Sequence, residues 1–170
     1  MDGITHIENF IEHPKRLFDH LTTSVNWDER MGARKTASFG KAYNYSQIHY
    51  PYQDFLPELE HINQQLVPVI GFKPNNCLIN YYLDGKSKMG YHSDQIDILE
   101  EATGIAIVSL GETRTLKFRN MEHPELFLSY ELTAGSLVYM TQEIQSGWQH
   151  SIPKSDTENS RISLTFRLMR

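Results

Sequence analysis

Apolar residues recur at two different spacings along this chain, and the change of spacing divides it. In PKRLFDHLTTSV, residues 14–25, Leu17, Leu21 and Val25 fall at four-residue intervals behind Pro14, a residue suited to the first turn of a helix. In DFLPELEHINQQLV, residues 54–67, Phe55, Leu59, Ile62 and Leu66 form one stripe, with Asp54 as the expected N-cap and Pro68 as the expected stop. Between the two, RKTASFGKAYNYSQIHYPY is rich in tyrosine and turn residues and reads as short strands or an irregular lid. From residue 76 onward the period becomes two. CLINYYL, GIAIVSL, TRTLKFRN, LFLSYEL, SLVYMT and RISLTFRLMR are candidate strands, punctuated at Asp84-Gly85, Gly111-Glu112, Ala134-Gly135 and Gly147. The expected architecture is a β-sandwich or barrel with the helices packed on one face.

Composition narrows the class. A chain of 170 residues reads as one domain, able to bury a full core and enclose a pocket. No stretch approaches the roughly 18 apolar residues of a membrane span, and MDGITHIENFIEH lacks the basic and apolar regions of a secretory leader. The expectation is therefore a soluble, unsecreted monomer with no membrane partner, cytoplasmic, or nuclear in a eukaryote. The single cysteine, Cys77, excludes an intramolecular disulfide and a cysteine-built zinc site, fits a reducing compartment, and reads as a buried small hydrophobe. Eight histidines are left as the main pool of soft metal ligands. A formal net charge of −5 argues against electrostatic coating of a nucleic acid. Locally the sign reverses, because Asp28 to Lys41 holds Arg30, Arg34, Lys35 and Lys41 against Asp28 and Glu29.

The last strand carries the clearest chemical signal. Alternation puts Arg161, Ser163, Thr165 and Arg167 on one face and Ile162, Leu164, Phe166 and Leu168 on the other. The polar face is either a solvated surface, as on many antiparallel strands, or a pocket wall whose guanidiniums hold carboxylates. In CLINYYL, Asn80 is an unusual strand residue; it marks a turn or edge, or else it and Tyr82 hydrogen-bond a polar ligand. His92 and Asp94 lie on one side of an extended segment, and His150 follows in GWQH. A His-x-Asp pair alone is weak evidence in a chain with this many histidines. Two histidines and one carboxylate can nevertheless occupy one face of an octahedral metal and leave three positions open, the ligand set of non-heme Fe(II) oxygenases. Arg161 would then suit the anchoring of a dicarboxylate beside the iron.

NYYLDGKSKMGYHSD, SLGETRTLKFRN, GSLVYMTQEIQSGWQHSIPK and RISLTFR together resemble, in order and spacing, the motifs of the AlkB family of Fe(II)- and 2-oxoglutarate-dependent nucleic-acid dealkylases, over residues 25–168. The resemblance implies a mainly β fold with peripheral α-helices: a double-stranded β-helix (jelly-roll) core with two N-terminal helices packed on one sheet. One Fe(II)/2-oxoglutarate dioxygenase domain would fill residues 1–170, with 1–75 as a helical and nucleotide-recognition-lid extension and 76–170 as the core. It implies that His92, Asp94 and His150 bind Fe(II), that Arg161 pairs with the distal carboxylate of 2-oxoglutarate, that Asn80, Tyr82 and Ser163 hydrogen-bond this cosubstrate, and that Arg167 lies near its metal-bound end and Asp94. With O2 as the second cosubstrate, 2-oxoglutarate would become succinate and CO2, and an N-methyl carbon of methylated DNA or RNA would be hydroxylated and lost as formaldehyde. The lid RKTASFGKAYNYS would recognise a flipped base, with Tyr43 and Tyr45 lining its pocket, Tyr45 opposite His92, and Arg34 and Lys35 near phosphates.

Two positions depart from the family pattern. Where the family usually carries an acidic residue against the base's exocyclic amine stands Ile96, followed by Asp97, which puts preference for N1-methyladenine or N3-methylcytosine in doubt unless Asp97 substitutes. The family's Arg-x-Asn in the final strand is here Arg161-Ile162-Ser163, a change expected to tune cosubstrate binding. An oxygenase with the same core acting on a tRNA modification, a protein side chain or a small metabolite is the alternative function, and a binding module that has lost catalysis a third. His6-x-Glu8 and His123-x-Glu125 read as surface pairs, and Trp27 and Trp148 as core packing.

Overall fold

The period-two stretches fold into two facing antiparallel sheets, and the two N-terminal helices cover the outer side of the larger one. The computed structural model describes residues 1–170. In chain order the elements are β1 (Ile4–Ile7), α1 (Pro14–Ser24), β2 (Lys35–Gly40), β3 (Tyr43–Tyr45), β4 (Ile48–Tyr50) and α2 (Pro57–Ile70). There follow β5 (Asn76–Tyr82), β6 (Met89–His92), β7 (Ile105–Gly111), β8 (Arg114–Asn120), β9 (Phe127–Leu132), β10 (Leu137–Met140), α3 (Gln142–Gly147), β11 (Trp148–Ile152) and β12 (Arg161–Arg167). The major sheet runs β1-β10-β7-β12-β5-β2, the minor sheet β6-β11-β8-β9, and β3 and β4 form a separate hairpin. This is the expected double-stranded β-helix. No helix is long and apolar enough to cross a membrane.

Alternation sorts side chains into two cores. Ala37 and Phe39 of β2, Cys77 and Ile79 of β5, Ala106, Val108 and Leu110 of β7, and Ile162, Leu164 and Phe166 of β12 face Leu21 of α1 and Leu59, Ile62 and Leu66 of α2. A second cluster lies between the sheets, built from Tyr82, Ile105, Leu116, Phe118, Leu132, Val138, Met140 and Ile152. Phe166 is fully buried in the first core. Phe166→Ala should lower unfolding free energy by about 3–5 kcal/mol in denaturant titration, since the rigid sheet cannot collapse onto the space left; a loss under about 1 kcal/mol would contradict this packing.

Three sequence expectations change here. The residue before α2 is Leu56 and Pro57 opens the helix, so Asp54 is not its cap; Asp54 instead accepts a hydrogen bond from the Tyr52 hydroxyl at 2.7 Å. Pro68 does not stop α2, which ends at Ile70. A proline so near the end of a helix sacrifices few hydrogen bonds, and Gly71, at φ 86°, closes it by donating to the Val67 carbonyl at 2.9 Å. Residue 76 is not where the β core begins, because β1 and β2 form the two edges of the major sheet. Gly40 ends β2 at φ 81°, where a Cβ would run into the Asn75 carbonyl oxygen, so only glycine lets the chain turn there into the β3–β4 hairpin.

Candidate metal and cosubstrate site

His92 is the last residue of β6, and the pairing of β6 with β11 sets His150 directly opposite it. The imidazole centroids are 4.4 Å apart. Asp94 follows on a loop that is tied down twice: its N–H donates to Gln145 Oε1 at 2.8 Å, and the Ser93 hydroxyl donates to the Trp148 carbonyl at 2.9 Å. Gln145 is buried on α3, so the segment that leads into β11 also holds the partner ligand's backbone. Asp94 Oδ1 lies 3.4 Å from His92 Nε2 and Oδ2 lies 3.5 Å from His150 Nε2. One ligand atom from each of the three residues fits within 4.8 Å. Ligand bonds of about 2.1 Å put adjacent octahedral ligands roughly 3 Å apart, so the cluster fits a divalent ion. His92 Nδ1 donates to the Gly90 carbonyl at 2.8 Å, which turns Nε2 toward Asp94 and makes it the nitrogen available to a metal.

The charge states of Asp94 and His150 suit that use. Burial opposes ionisation of Asp94, but the hydrogen bond from His92 and the charges of His150 and Arg167 outweigh it and hold the carboxyl below the usual range. Burial also works against a charged His92, yet the Asp94 hydrogen bond, the Gly90 carbonyl and the Asp94 charge raise its pKa. His150 faces the same carboxylate and moves the other way, to about 4, because burial dominates there; its side chain is 5% exposed against 32% for His92. A histidine kept neutral by the fold adds stability above its unfolded pKa, and that stability is lost as pH falls through the folded value. The raised His92 works in the opposite sense, but its shift is the smaller. The His150 contribution, on the order of 2–3 kcal/mol between pH 6.5 and pH 4 and partly offset by His92, should make the metal-free protein less stable at pH 4 than at pH 6.5 in denaturant titration; stability that rises as pH falls through that window would contradict the burial of His150.

The polar face of β12 is a pocket wall. Arg161, Ser163, Thr165 and Arg167 are all buried, and they line one cavity of about 620 Å³ with Leu78, Asn80, Tyr82, His92, Asp94 and His150. The sheet register sets Ser163 beside Asn80 and Arg161 beside Tyr82. Arg161 is 1% exposed. Its Nη2 donates to Ser109 Oγ at 3.0 Å, while Nε and Nη1 have no partner. Its guanidinium lies 5.1 Å from the Tyr82 ring, and the other charge that bears on it is the cation Arg114. A buried cation with free donors and no carboxylate is costly unless an anion completes it. Arg167 likewise has unpartnered Nε and Nη1, and its Nη2 is 4.0 Å from Asp94 Oδ1. These residues could hold a metal-bound dicarboxylate.

At the mouth, the rings of Tyr43 and Tyr45 stack on each other with centroids 6.1 Å apart, and both line the cavity. Arg34 lines it too, but its guanidinium is buried and committed: Nε donates to Asn80 Oδ1 at 2.9 Å, Nη2 to the Tyr45 hydroxyl, and Nη1 to the Lys88 carbonyl. It ties the lid to the cosubstrate wall and does not reach out toward phosphates. Lys35 is on the opposite face of β2, paired with Glu29 at 2.9 Å and outside the cavity. Ile96 packs against the core between the sheets. Asp97 is exposed and does not line the cavity, so it does not replace the missing acid. Gln95, passed over in the sequence, does line it.

Gln145 and Ser109 were likewise not singled out, nor was Arg114, whose buried guanidinium donates to the carbonyls of Asp84, Ser87 and Pro153 and so clamps the loops before β6 and β12. Cys77 is fully buried, and Trp27 and Trp148 pack against the two cores as expected.

Known proteins are similar to this chain in sequence and in fold. The sequence profile of the 2OG-Fe(II) oxygenase superfamily matches residues 8–167. The chain is 32% identical over 171 residues to alpha-ketoglutarate-dependent dioxygenase alkB homolog 3 of Rattus norvegicus, covering 89% of this chain and 58% of that protein. It is 32% identical over 145 residues to DNA oxidative demethylase ALKBH2 of Homo sapiens, covering 79% of this chain and 56% of that one. The chain thus spans a little under two thirds of the length of these relatives. The solved structure of OsALKBH1 superposes with a TM-score of 0.68 at 15% identity, covering 98% of each chain, a likeness of fold. With this profile match and these relatives, the chain belongs to the 2OG-Fe(II) oxygenase superfamily as an AlkB-like member.

Proposed function

We propose that this protein is an Fe(II)- and 2-oxoglutarate-dependent dioxygenase that removes N-methyl groups from bases in DNA or RNA. The observation that carries the reading is the single cavity in which a His92/Asp94/His150 donor set, a buried Arg161 with two unpartnered nitrogens and a tyrosine-walled mouth meet. Similarity to proteins named alkB homolog 3 and DNA oxidative demethylase ALKBH2 supports the substrate class.

His92, Asp94 and His150 would hold the metal through two Nε2 atoms and a carboxylate oxygen. Arg161 would receive the distal carboxylate of 2-oxoglutarate through its free N–H groups, with Asn80, Tyr82 and Ser163 on the same wall and Arg167 beside Asp94. Bound together, Fe(II) and 2-oxoglutarate would activate O2, the oxidant, with one of its oxygen atoms going to succinate as CO2 is released and the other to the N-methyl carbon. The chain's own part is to dock the base between Tyr43, Tyr45 and the metal so that its N-methyl carbon faces the iron, and to keep bulk water out. The hydroxylated methyl group then leaves as formaldehyde and restores the base. A methyl group on a pairing edge cannot reach a metal held by the buried His150 from inside a duplex, so the base must be unpaired or flipped.

Formaldehyde and succinate measured together, with N-methylated single-stranded oligonucleotides as substrate, test the reading. Matched release of both products is the expected result. Succinate alone, unchanged by any oligonucleotide, would move the function to an oxygenase with the same core and a different substrate.

A further inference from the structure

The cavity wall has an uneven charge. Arg34, Lys88, Arg161 and Arg167 line it, and Asp94 is its one carboxylate. Asp94 is not free to serve a substrate, since its oxygens face His92, His150 and Arg167. Fe(II) and the 2-oxoglutarate dianion would cancel each other formally and leave the excess of cations in place. Just beyond Asp94, the wall residue is the neutral Gln95, while Ile96 is turned into the core. The remaining polar groups near the mouth are an amide and hydroxyls, on Asn44, Ser46 and Ser93.

Methylation on the pairing edge of a base gives two chemical classes. A ring nitrogen that bears no hydrogen, as in adenine N1 or cytosine N3, becomes cationic. A ring nitrogen that exchanges its hydrogen for methyl stays neutral and keeps the carbonyl acceptors beside it, two in thymine N3 and uracil N3 and one, at C6, in guanine N1. Drawing a cation out of water into a wall of guanidiniums with no spare carboxylate is unfavourable. Cation–π attraction does not offset this, because the Tyr45 ring already has Arg34 at 5.7 Å and the Tyr43 ring has Arg167 at 5.2 Å. A neutral base meets no such penalty, and its carbonyls suit the amide donors of Gln95 and Asn44.

We infer that the cavity selects neutral, carbonyl-bearing N-methyl bases of the N3-methylthymine, N3-methyluracil and N1-methylguanine type over cationic N1-methyladenine and N3-methylcytosine, with Gln95 as the specificity-determining residue. The inference rests on the base-demethylase reading above.

The test is a competition between single-stranded oligonucleotides that differ only in carrying N3-methylthymine or N3-methylcytosine. It is read as the ratio of kcat/KM values and, separately, as anisotropy binding to the iron-free protein in the presence of 2-oxoglutarate. A preference of at least about tenfold for N3-methylthymine, equivalent to ~1.4 kcal/mol, is expected in both readouts. Gln95→Glu, a change at an exposed residue, should shift both ratios toward N3-methylcytosine by a similar factor. Preference for the cationic base by the unaltered protein would overturn the inference while leaving demethylation intact. An unchanged ratio in the Gln95 variant would overturn the assignment of Gln95. Loss of methyl from no oligonucleotide, with succinate still formed, would overturn the demethylase reading and the inference with it.

Discussion

Replacing Arg161 with methionine should weaken 2-oxoglutarate binding by about 2–5 kcal/mol, roughly thirtyfold to several thousandfold, without weakening the metal-free fold. The two effects have one cause. Arg161 is fully enclosed, makes one hydrogen bond to Ser109, and leaves Nε and Nη1 unsatisfied. Burial presses its pKa down, and the neighbouring Arg114 adds to that pressure. Without an anion this is a strained arrangement, and a flexible apolar side chain of similar length relieves it. With the cosubstrate present, the same donors would make charge-assisted bonds that methionine cannot. Calorimetric titration with 2-oxoglutarate and Mn(II), alongside thermal melts of the metal-free protein, measures both. An unchanged 2-oxoglutarate affinity would show that the distal carboxylate sits elsewhere; a large loss of metal-free stability would show that Arg161 is a structural residue.

Asp94→Ala should abolish metal binding at this site, with a fall in Mn(II) affinity of more than about a hundredfold, since even the outer partners of metal ligands are worth 10–100-fold. The carboxylate is the only anion in the cavity and stands between both histidines and Arg167. Its removal takes away a ligand and also the group that neutralises Arg167. It should further lower the pKa of His92, which the Asp94 hydrogen bond and charge raise. Electron paramagnetic resonance of added Mn(II) counts the free ion directly, and NMR titration of the histidine ring protons in the metal-free variant follows His92. Retained Mn(II) binding would move the metal to another set of residues.

How much of this was legible in the chain depended on contrast between neighbouring residues. β12 was legible because every second residue changes character, and its polar face held two arginines where a plain solvated strand would carry mixed surface residues. The same logic applied to β2 would have separated Arg34 from Lys35. Ala37 and Phe39 face the helices, so Lys35 shares their side, and Arg34 shares the cavity side. Local pattern reached its limit at β1, β6 and β11. These strands are short and weakly alternating, and they exist through partners distant in sequence, as His92 pairs with His150. Gln145 lies in a segment with no strong period, and its role comes from a contact across the fold to the Asp94 backbone. Ile96 reads as a substituted site residue because it stands where the resembled family usually carries an acid, yet the loop after β6 turns it inward.

The most direct test is a crystal structure of the protein with Mn(II) and 2-oxoglutarate, read from the anomalous scattering of the metal. The expected result is one ordered metal bonded to His92 Nε2, an Asp94 oxygen and His150 Nε2, with the distal carboxylate of 2-oxoglutarate on Arg161 and its metal-bound end toward Arg167. A metal outside the His92/Asp94/His150 cluster, or a cosubstrate whose distal carboxylate leaves Arg161 unpaired, would contradict the site on which the proposed activity depends.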